Sequence, residues 1–307
     1  MDPLTHTLVG GTLARTGLGG RTRLATAALV VGANLPDIDV ACYFLGSDFA
    51  LGLRRGWTHG WPALIVLPLL LWGSLLLWHR RRPPPASVTA LSPKWLLALC
   101  YLGVLTHPSL DWLNTYGMRW LMPLGESWFY GDSIFIIDPW LWLILLASWL
   151  TGRKSARTRR VTVGIGLAAL YLVSMIVLHE ATERRVRGVL EKGSASPVED
   201  LLVGPEPANP LAWDVVAHSG ERYRIGRYSW LRRELRLSEV ALADARADPL
   251  WPRIQASGQA PGFLGWVRFP WLESERDATG LRVYVMDARY VRRRTIGFGG
   301  ALIHLPQ

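Results

Sequence analysis

Long apolar runs alternate with short polar loops over the first 179 residues. Five stretches are apolar enough to form membrane-spanning helices: 24–45, 61–79, 95–113, 134–150 and 161–179. At ~1.5 Å rise per residue, about 20 residues cross the ~30 Å core of a bilayer. Residues 4–18 are less apolar and contain Arg15, so they predict either a sixth, tilted span or an interfacial helix.

The pattern changes after residue 179, where no apolar run is long enough to span a membrane. Alternating apolar and polar positions at 222–225 and 282–285 predict half-buried strands, and 237–247 predicts one amphipathic helix. The expected fold is an all-α polytopic membrane domain of five to six helices, residues 1–179, followed by a small α+β extramembrane domain, residues 180–307.

Composition and charge support a membrane protein and argue against nucleic-acid binding. The chain is 50% hydrophobic, with 16 Trp and a formal net charge of +10. The basic residues of the first 179 positions cluster in alternate loops, which the positive-inside rule places in the cytoplasm. Eleven of those 15 fall there: Arg21, Arg23, Arg80, Arg81, Arg82, Lys94, Arg153, Lys154, Arg157, Arg159 and Arg160. Arg15 makes twelve if residues 4–18 span the membrane. This topology predicts a multi-pass protein of the cell membrane, in contact with lipids, with residues 180–307 outside the cytoplasm.

Ionisable residues at the outer ends of the apolar runs are the candidates for chemistry. His107 and Asp111 lie four residues apart on one helix face, at the end of the uncharged stretch 95–105. The alternative for this pair is a helix end with a solvated aspartate. Asp37 and Asp39 follow Pro36, and in an extended segment both carboxylates would face one cation. The alternative role for these two carboxylates is to cap a helix.

The loop Arg54–Gly60 adds two arginines, which suit an anion, and His59, which can bind a metal. Its alternative role is contact with lipid headgroups. If residues 4–18 span the membrane, His6, Asp37, Asp39, His59, His107, Asp111 and Asp138 all reach the outer face. If that segment lies on the inner surface, His6 drops out of the group.

A mixed His/Asp set predicts a divalent metal site. The two cysteines, Cys42 and Cys100, lie too far apart for a thiolate site. The candidate ligands are His6, Asp37, Asp39, His59, His107 and Asp111, with zinc as the first choice and manganese or magnesium as alternatives. A bound metal activates water, a spare carboxylate such as Asp39 or Asp111 can act as base, and Arg54 and Arg55 can steady an anion.

Four of these segments together resemble the YdjM-like family of inner-membrane metal-dependent hydrolases. They are the opening Met1–His6, the Leu35–Asp39 turn, the Arg55–His59 loop and the His107-x-x-x-Asp111 pair. The resemblance covers about residues 1–150 and implies a polytopic bacterial membrane protein with His/Asp metal ligands. Many members have His-Arg-Gly-x-Thr-His where this chain has Arg54, so one ligand is missing and Asp138 or Asp39 is expected to complete the shell.

The leading hypothesis is a membrane-embedded metal-dependent hydrolase that uses a metal-activated water near the outer leaflet. Its substrate would be a phosphoester or a lipid-linked anion, and the C-terminal domain would recognise substrate or a protein partner. The alternative is a non-catalytic membrane scaffold or regulatory protein with a structural metal site. A cation transporter ranks last, because transport sites need ionisable residues near the midplane of several spans.

Overall fold

A computed structural model describes residues 1–82, 89–150, 157–193, 196–277, 280–293 and 299–306. Two predicted cytoplasmic loops fall partly outside this range, including Arg153 and Lys154. The chain divides into two compact units. The first unit combines residues 1–39 with 54–177, and the second combines 40–53 with 178–307.

Seven α-helices lie within the described part of the first 193 residues. They are α1 (Pro3–Arg15), α2 (Ala25–Gly32), α3 (Ser47–Leu53), α4 (Trp61–Arg81), α5 (Pro93–Trp112), α6 (Pro139–Leu150) and α7 (Arg157–Lys192). A 3-10 segment, Leu35–Leu45, follows α2. Helix α1 begins at a favourable cap, because the Asp2 side chain accepts the backbone N–H of Thr5 and Pro3 occupies the first turn.

Two described helices, α4 and α7, are long and apolar enough to cross a membrane. Helix α2 and the 3-10 segment after it are bent by 45° relative to each other, and they form a third candidate if the two together make one span. The predicted count of five to six is not confirmed. Helices α1 and α6 have 13 and 12 residues, or about 20 Å and 18 Å, which is less than the ~30 Å core. Helix α5 has 20 residues but carries Lys94, His107 and Asp111.

Helices α2 and α5 pack closely through two glycines. A Cβ atom added to Gly103 would lie 2.9 Å from the Ala28 carbonyl oxygen and 3.2 Å from the Gly32 Cα atom. Such distances leave no room for a side chain between the two backbones. The buried cluster beside this contact consists of Ala14, Ala25, Ala28, Leu29, Leu71, Leu96, Leu99 and Cys100. The close contact brings the end of α2 to the level of His107.

The extended conformation predicted for Pro36–Asp39 is wrong. This stretch lies in the 3-10 segment, where successive residues turn by about 120°. Asp37 and Asp39 still lie on either side of one cation, because Asp37 Oδ1 is 3.4 Å from Arg54 Nη2 and Asp39 Oδ1 is 3.5 Å from Arg54 Nε. Only Asp37 belongs to the group that could hold a metal ion. Proline fixes φ in a range that is compatible with the first turn of a helix as well as with extended structure.

The second unit contains two antiparallel sheets. Its strands are β1 (Asp200–Glu206), β2 (Asn209–Ser219), β3 (Arg222–Ser229), β4 (Glu234–Leu237), β5 (Leu242–Ala243), β6 (Pro270–Asp277), β7 (Gly280–Asp287) and β8 (Gly300–Pro306). One sheet has the order β1-β2-β3-β4, with β5 also paired to β3, and the other has the order β6-β7-β8. Two short helices, α8 (Trp251–Ala256) and α9 (Pro261–Trp266), lie between the sheets in sequence.

The predicted strands at 222–225 and 282–285 are confirmed within β3 and β7. The predicted helix at 237–247 is wrong, because this stretch contains β5 and a 3-10 turn, Ala245–Ala247. Leu242 and Ala243 pair with Tyr223 and Arg222 of β3. Pairing with a neighbouring strand overrides the local helical periodicity here.

Candidate metal centre

Four side chains from three parts of the first unit meet at one point. One ligand atom from each of Asp37, His59, His107 and Asp111 lies within 4.8 Å of the others. Asp37 comes from the 3-10 segment, His59 from the loop before α4, and His107 and Asp111 from the last turns of α5. The side chains of the last three are fully buried, whereas that of Asp37 is 15% exposed. The group thus has one side toward solvent.

The imidazole of His107 is oriented by the end of α2. Its Nδ1 lies 2.7 Å from the carbonyl oxygen of Ala33. A carbonyl oxygen only accepts hydrogen bonds, so Nδ1 carries the proton and donates it. In the neutral ring, Nε2 then bears a lone pair, and it points toward Asp37 Oδ1 at 3.7 Å and Asp111 Oδ2 at 3.4 Å.

The imidazole of His59 is oriented by Thr58 and Asp39. The Thr58 hydroxyl donates to Asp39 Oδ2 at 2.8 Å and lies 2.8 Å from His59 Nδ1. Since the hydroxyl proton is used on Asp39, Nδ1 of His59 is the donor to Thr58, and its Nε2 carries the lone pair. Burial lowers the pKa of His59, and the nearby His107 and Arg55 lower it further. A neutral imidazole is the form that binds metals.

Asp111 lies at the centre of the cluster. Its Oδ2 is 3.2 Å from Arg55 Nε and 3.4 Å from the Nε2 atom of both His59 and His107. Its Oδ1 lies against the Met1 amino group and 3.3 Å from His6 Nε2. Both buried oxygens are thus surrounded by nitrogen atoms of cationic groups and imidazoles. A buried carboxylate with such neighbours is the natural anionic member of a His/Asp metal site.

Arg55 acts on the cluster through Asp111. Its Nη1 donates to the side-chain oxygen of Asn114 at 2.8 Å, and its guanidinium lies 4.5 Å from the centre of the Tyr116 ring. The side chain is 2% exposed, and the residue has a φ of 51°. A non-glycine residue in this region costs of order 1 kcal/mol. The Arg55 N–H donates to Asp39 Oδ2 at 3.1 Å, which helps to hold this conformation.

A profile of the family described as YdjM inner membrane protein matches residues 1–182. The chain belongs to this family. The family resemblance predicted from the sequence is therefore confirmed, and with the apolar helices it supports a location in the inner membrane. Among curated proteins, the uncharacterized protein YfhP of Bacillus subtilis (strain 168) is 24% identical over 238 residues, which cover 74% of this chain and 68% of that protein. No solved structure matches the chain.

The remaining predicted site residues of this YdjM-family chain lie around the four. The His6 ring stacks on that of His107, with 3.8 Å between ring centres. Asp39 lies behind His59, with Oδ2 at 3.5 Å from its Nδ1. Asp138, which the resemblance suggested as a replacement ligand, instead caps α6 by accepting the Leu141 N–H at 2.9 Å and the Tyr171 hydroxyl at 2.7 Å.

Three supporting groups were not singled out from the sequence: the Ala33 carbonyl, the Thr58 hydroxyl and the Asn114 side chain. Asn114 lies three residues after Asp111, and Thr58 precedes His59, so proximity in sequence was the available signal for both. The role of Ala33 depends on the packing of α2 against α5, which no local pattern shows. These groups fix ring orientation, which is a common task of the residues that surround metal ligands.

Proposed function

We propose that this protein is a membrane-embedded metal-dependent hydrolase that acts on a phosphoester or lipid-linked anionic substrate near the outer leaflet. The observation that carries the proposal is the convergence of Asp37, His59, His107 and Asp111 within 4.8 Å. Two imidazole nitrogens and carboxylate oxygens form a donor set that suits zinc first, and manganese or magnesium as alternatives.

The donor atoms fit a small cation. The Nε2 atoms of His59 and His107 lie 3.1 Å apart, and both bear lone pairs by the hydrogen bonding described above. Two nitrogens at ~2.05 Å from a tetrahedral zinc would be about 3.3 Å apart. Without a cation, two buried lone pairs at this distance repel each other. A bound divalent ion of this kind lowers the pKa of water toward ~7 and so supplies a nucleophile at neutral pH.

Other residues have distinct proposed tasks. Asp39 is outside the group of four, and its Oδ2 accepts from Arg55 and Thr58. Its Oδ1, which lies 3.5 Å from Arg54 Nε, is the atom that would take a proton as general base. Arg54 lies 3.4 Å from Asp37 Oδ1 on the exposed side, with 18% of its side chain accessible, which favours it for contact with an anionic substrate. Arg55 is a positioning residue for Asp111.

The alternative is a membrane scaffold or regulator with a structural ion. The complete burial of His59, His107 and Asp111 supports it, because structural sites are closed. The partial exposure of Asp37 favours the hydrolase, because catalysis needs an open position. Under either proposal, residues 180–307 lie outside the cytoplasm and recognise substrate or a protein partner.

The test is turnover by detergent-purified protein loaded with zinc, manganese or magnesium. A water-soluble nitrophenyl phosphodiester and a phospholipid in mixed micelles are the two substrates. Wild type and Ser74→Ala, a control at an exposed position of α4, are expected to be active. Asp39→Asn is expected to keep its metal and lose turnover. Bound metal without turnover on either substrate would favour the scaffold.

A further inference from the structure

An apolar cavity of about 360 Å³ lies among α1, α5, α6 and α7 of the first unit. Its walls include Val9 and Leu13 of α1, Leu141 and Leu145 of α6, and Ala168 and Leu172 of α7. The volume lies in the range of cavities that bind small molecules. No part of the metal centre lines it.

Among its described wall residues, the cavity has no hydrogen-bond donor left for a polar ligand. Its two wall residues with hydroxyl groups, Thr106 and Ser109, donate to the carbonyl oxygens of Gly103 and Leu105 at 2.7 Å and 2.8 Å. All the other wall residues are aliphatic. A polar molecule would therefore lose its hydrogen bonds with water on entering, whereas a hydrocarbon chain would not.

The cavity begins at the level of the metal centre and runs away from it. On α5, its wall extends from Leu102 to Leu110, about 12 Å at 1.5 Å per residue, and Leu110 directly precedes Asp111. On α1, His6 is followed one turn later by Val9 and then by Leu13. On both helices, the residues of the centre lie at one end of the apolar wall.

The occupant follows from the helix that forms one wall. Helix α7 is long and apolar enough to cross the membrane, so its apolar side faces acyl chains of lipids. We propose that the cavity holds one acyl chain of a lipid whose anionic headgroup lies at the metal centre. That the bound lipid is also the substrate rests on the proposed function. If so, the substrate is a membrane lipid and not a soluble phosphoester.

Photolabelling tests the cavity without any need for turnover. The protein is reconstituted with a phosphatidic acid that carries a diazirine within one acyl chain, irradiated, digested and analysed by mass spectrometry. The labelled fraction of the α5 peptide containing Leu105 and Leu110 is divided by that of the α4 peptide containing Leu70, which is 61% exposed and reports general lipid contact.

Two variants fill the cavity and one provides the matched control. Ala168→Trp and Leu172→Trp place an indole in the cavity, whereas Leu170→Trp places it on the exposed side of the same helix, where Leu170 is 61% exposed. We expect the labelling ratio to be high in wild type and Leu170→Trp and to fall several-fold in both filled variants. Leu105, which is 44% exposed, keeps some label from general lipid contact in every variant. Metal content and melting temperature show whether each variant is folded.

The proposal is overturned if wild type shows no label on the α5 peptide above background, or if folded filled variants keep the wild-type ratio. Turnover of the two substrates distinguishes a failure of the acyl-chain proposal from a failure of the hydrolase proposal. Filled variants should retain turnover of the soluble phosphodiester and lose that of the phospholipid. If wild type hydrolyses neither substrate, the hydrolase proposal fails while the labelling still decides what the cavity binds.

Discussion

The Nε2 atoms of His59 and His107 lie 3.1 Å apart, each with its Nδ1 already committed as a donor. Thr58 fixes one ring and the carbonyl oxygen of Ala33 fixes the other. With both Nδ1 atoms protonated, the two buried Nε2 lone pairs repel each other, and a cation between them removes that repulsion. This relationship is the physical basis of the proposed metal centre.

Arg55 and Arg54 should differ sharply in their effect on metal binding. Arg55→Lys removes the planar contact with Asp111 and Asn114, so metal affinity should fall about 10- to 100-fold. Arg54→Lys, at a partly exposed position, should leave affinity within about twofold of wild type. Competition with a fluorescent zinc chelator measures both. Equal losses in the two variants would contradict the role assigned to Arg55.

The metal-free protein should lose stability in acid through His59. Its pKa is lowered in the folded state by burial, so below the ordinary value of ~6.5 the unfolded chain binds more protons than the folded one. The free energy of unfolding should therefore fall as the pH drops from 7 to 5, by up to about 1.4 kcal/mol per pH unit for this group.

His59→Gln, which cannot titrate, should show a smaller slope than wild type over the same pH range. Melting temperatures of chelator-treated protein in detergent, measured at half-unit intervals of pH, provide the comparison. Identical slopes for the two proteins would show that His59 is not the group responsible.

The contact between Gly32 and Gly103 should be necessary for His107 orientation. Gly103→Val forces α2 and α5 apart, which should cost about 1–3 kcal/mol of stability and move the Ala33 carbonyl away from His107 Nδ1. Gly73→Val is the matched control, because a Cβ atom at Gly73 on α4 meets nothing within 4 Å. Thermal melting and zinc affinity should both decline for Gly103→Val alone; parallel behaviour of the two variants would contradict this role.

The orientation in the membrane is tested by cysteine accessibility. In a background with Cys42 and Cys100 replaced by serine, Glu126→Cys should react with an impermeant maleimide added outside the cell. Gly20→Cys, in a loop predicted to be cytoplasmic, should react only after permeabilisation. The reverse result would place the metal centre at the inner leaflet and remove the outer-leaflet part of the proposed function.

The sequence was sufficient to predict features that depend on residues close together in the chain. The spacing of His107 and Asp111 predicts one helix face, and α5 places both in the cluster. The position of Asp39 behind His59 could not be predicted from the sequence. It depends on the 3-10 conformation after Pro36, and proline is compatible with this conformation as well as with an extended one. The predicted number of spans is not confirmed, because the described helices within 4–18 and 134–150 have 13 and 12 residues.

The most direct test of the metal centre is elemental analysis of purified protein after exhaustive dialysis. Wild type is compared with His107→Ala, Asp111→Ala and His304→Ala, the last being a control on β8. We predict about one divalent ion per chain in wild type and His304→Ala, and its loss from the other two. If wild type holds no more metal than His107→Ala and Asp111→Ala after incubation with zinc, manganese and magnesium, the metal centre does not exist.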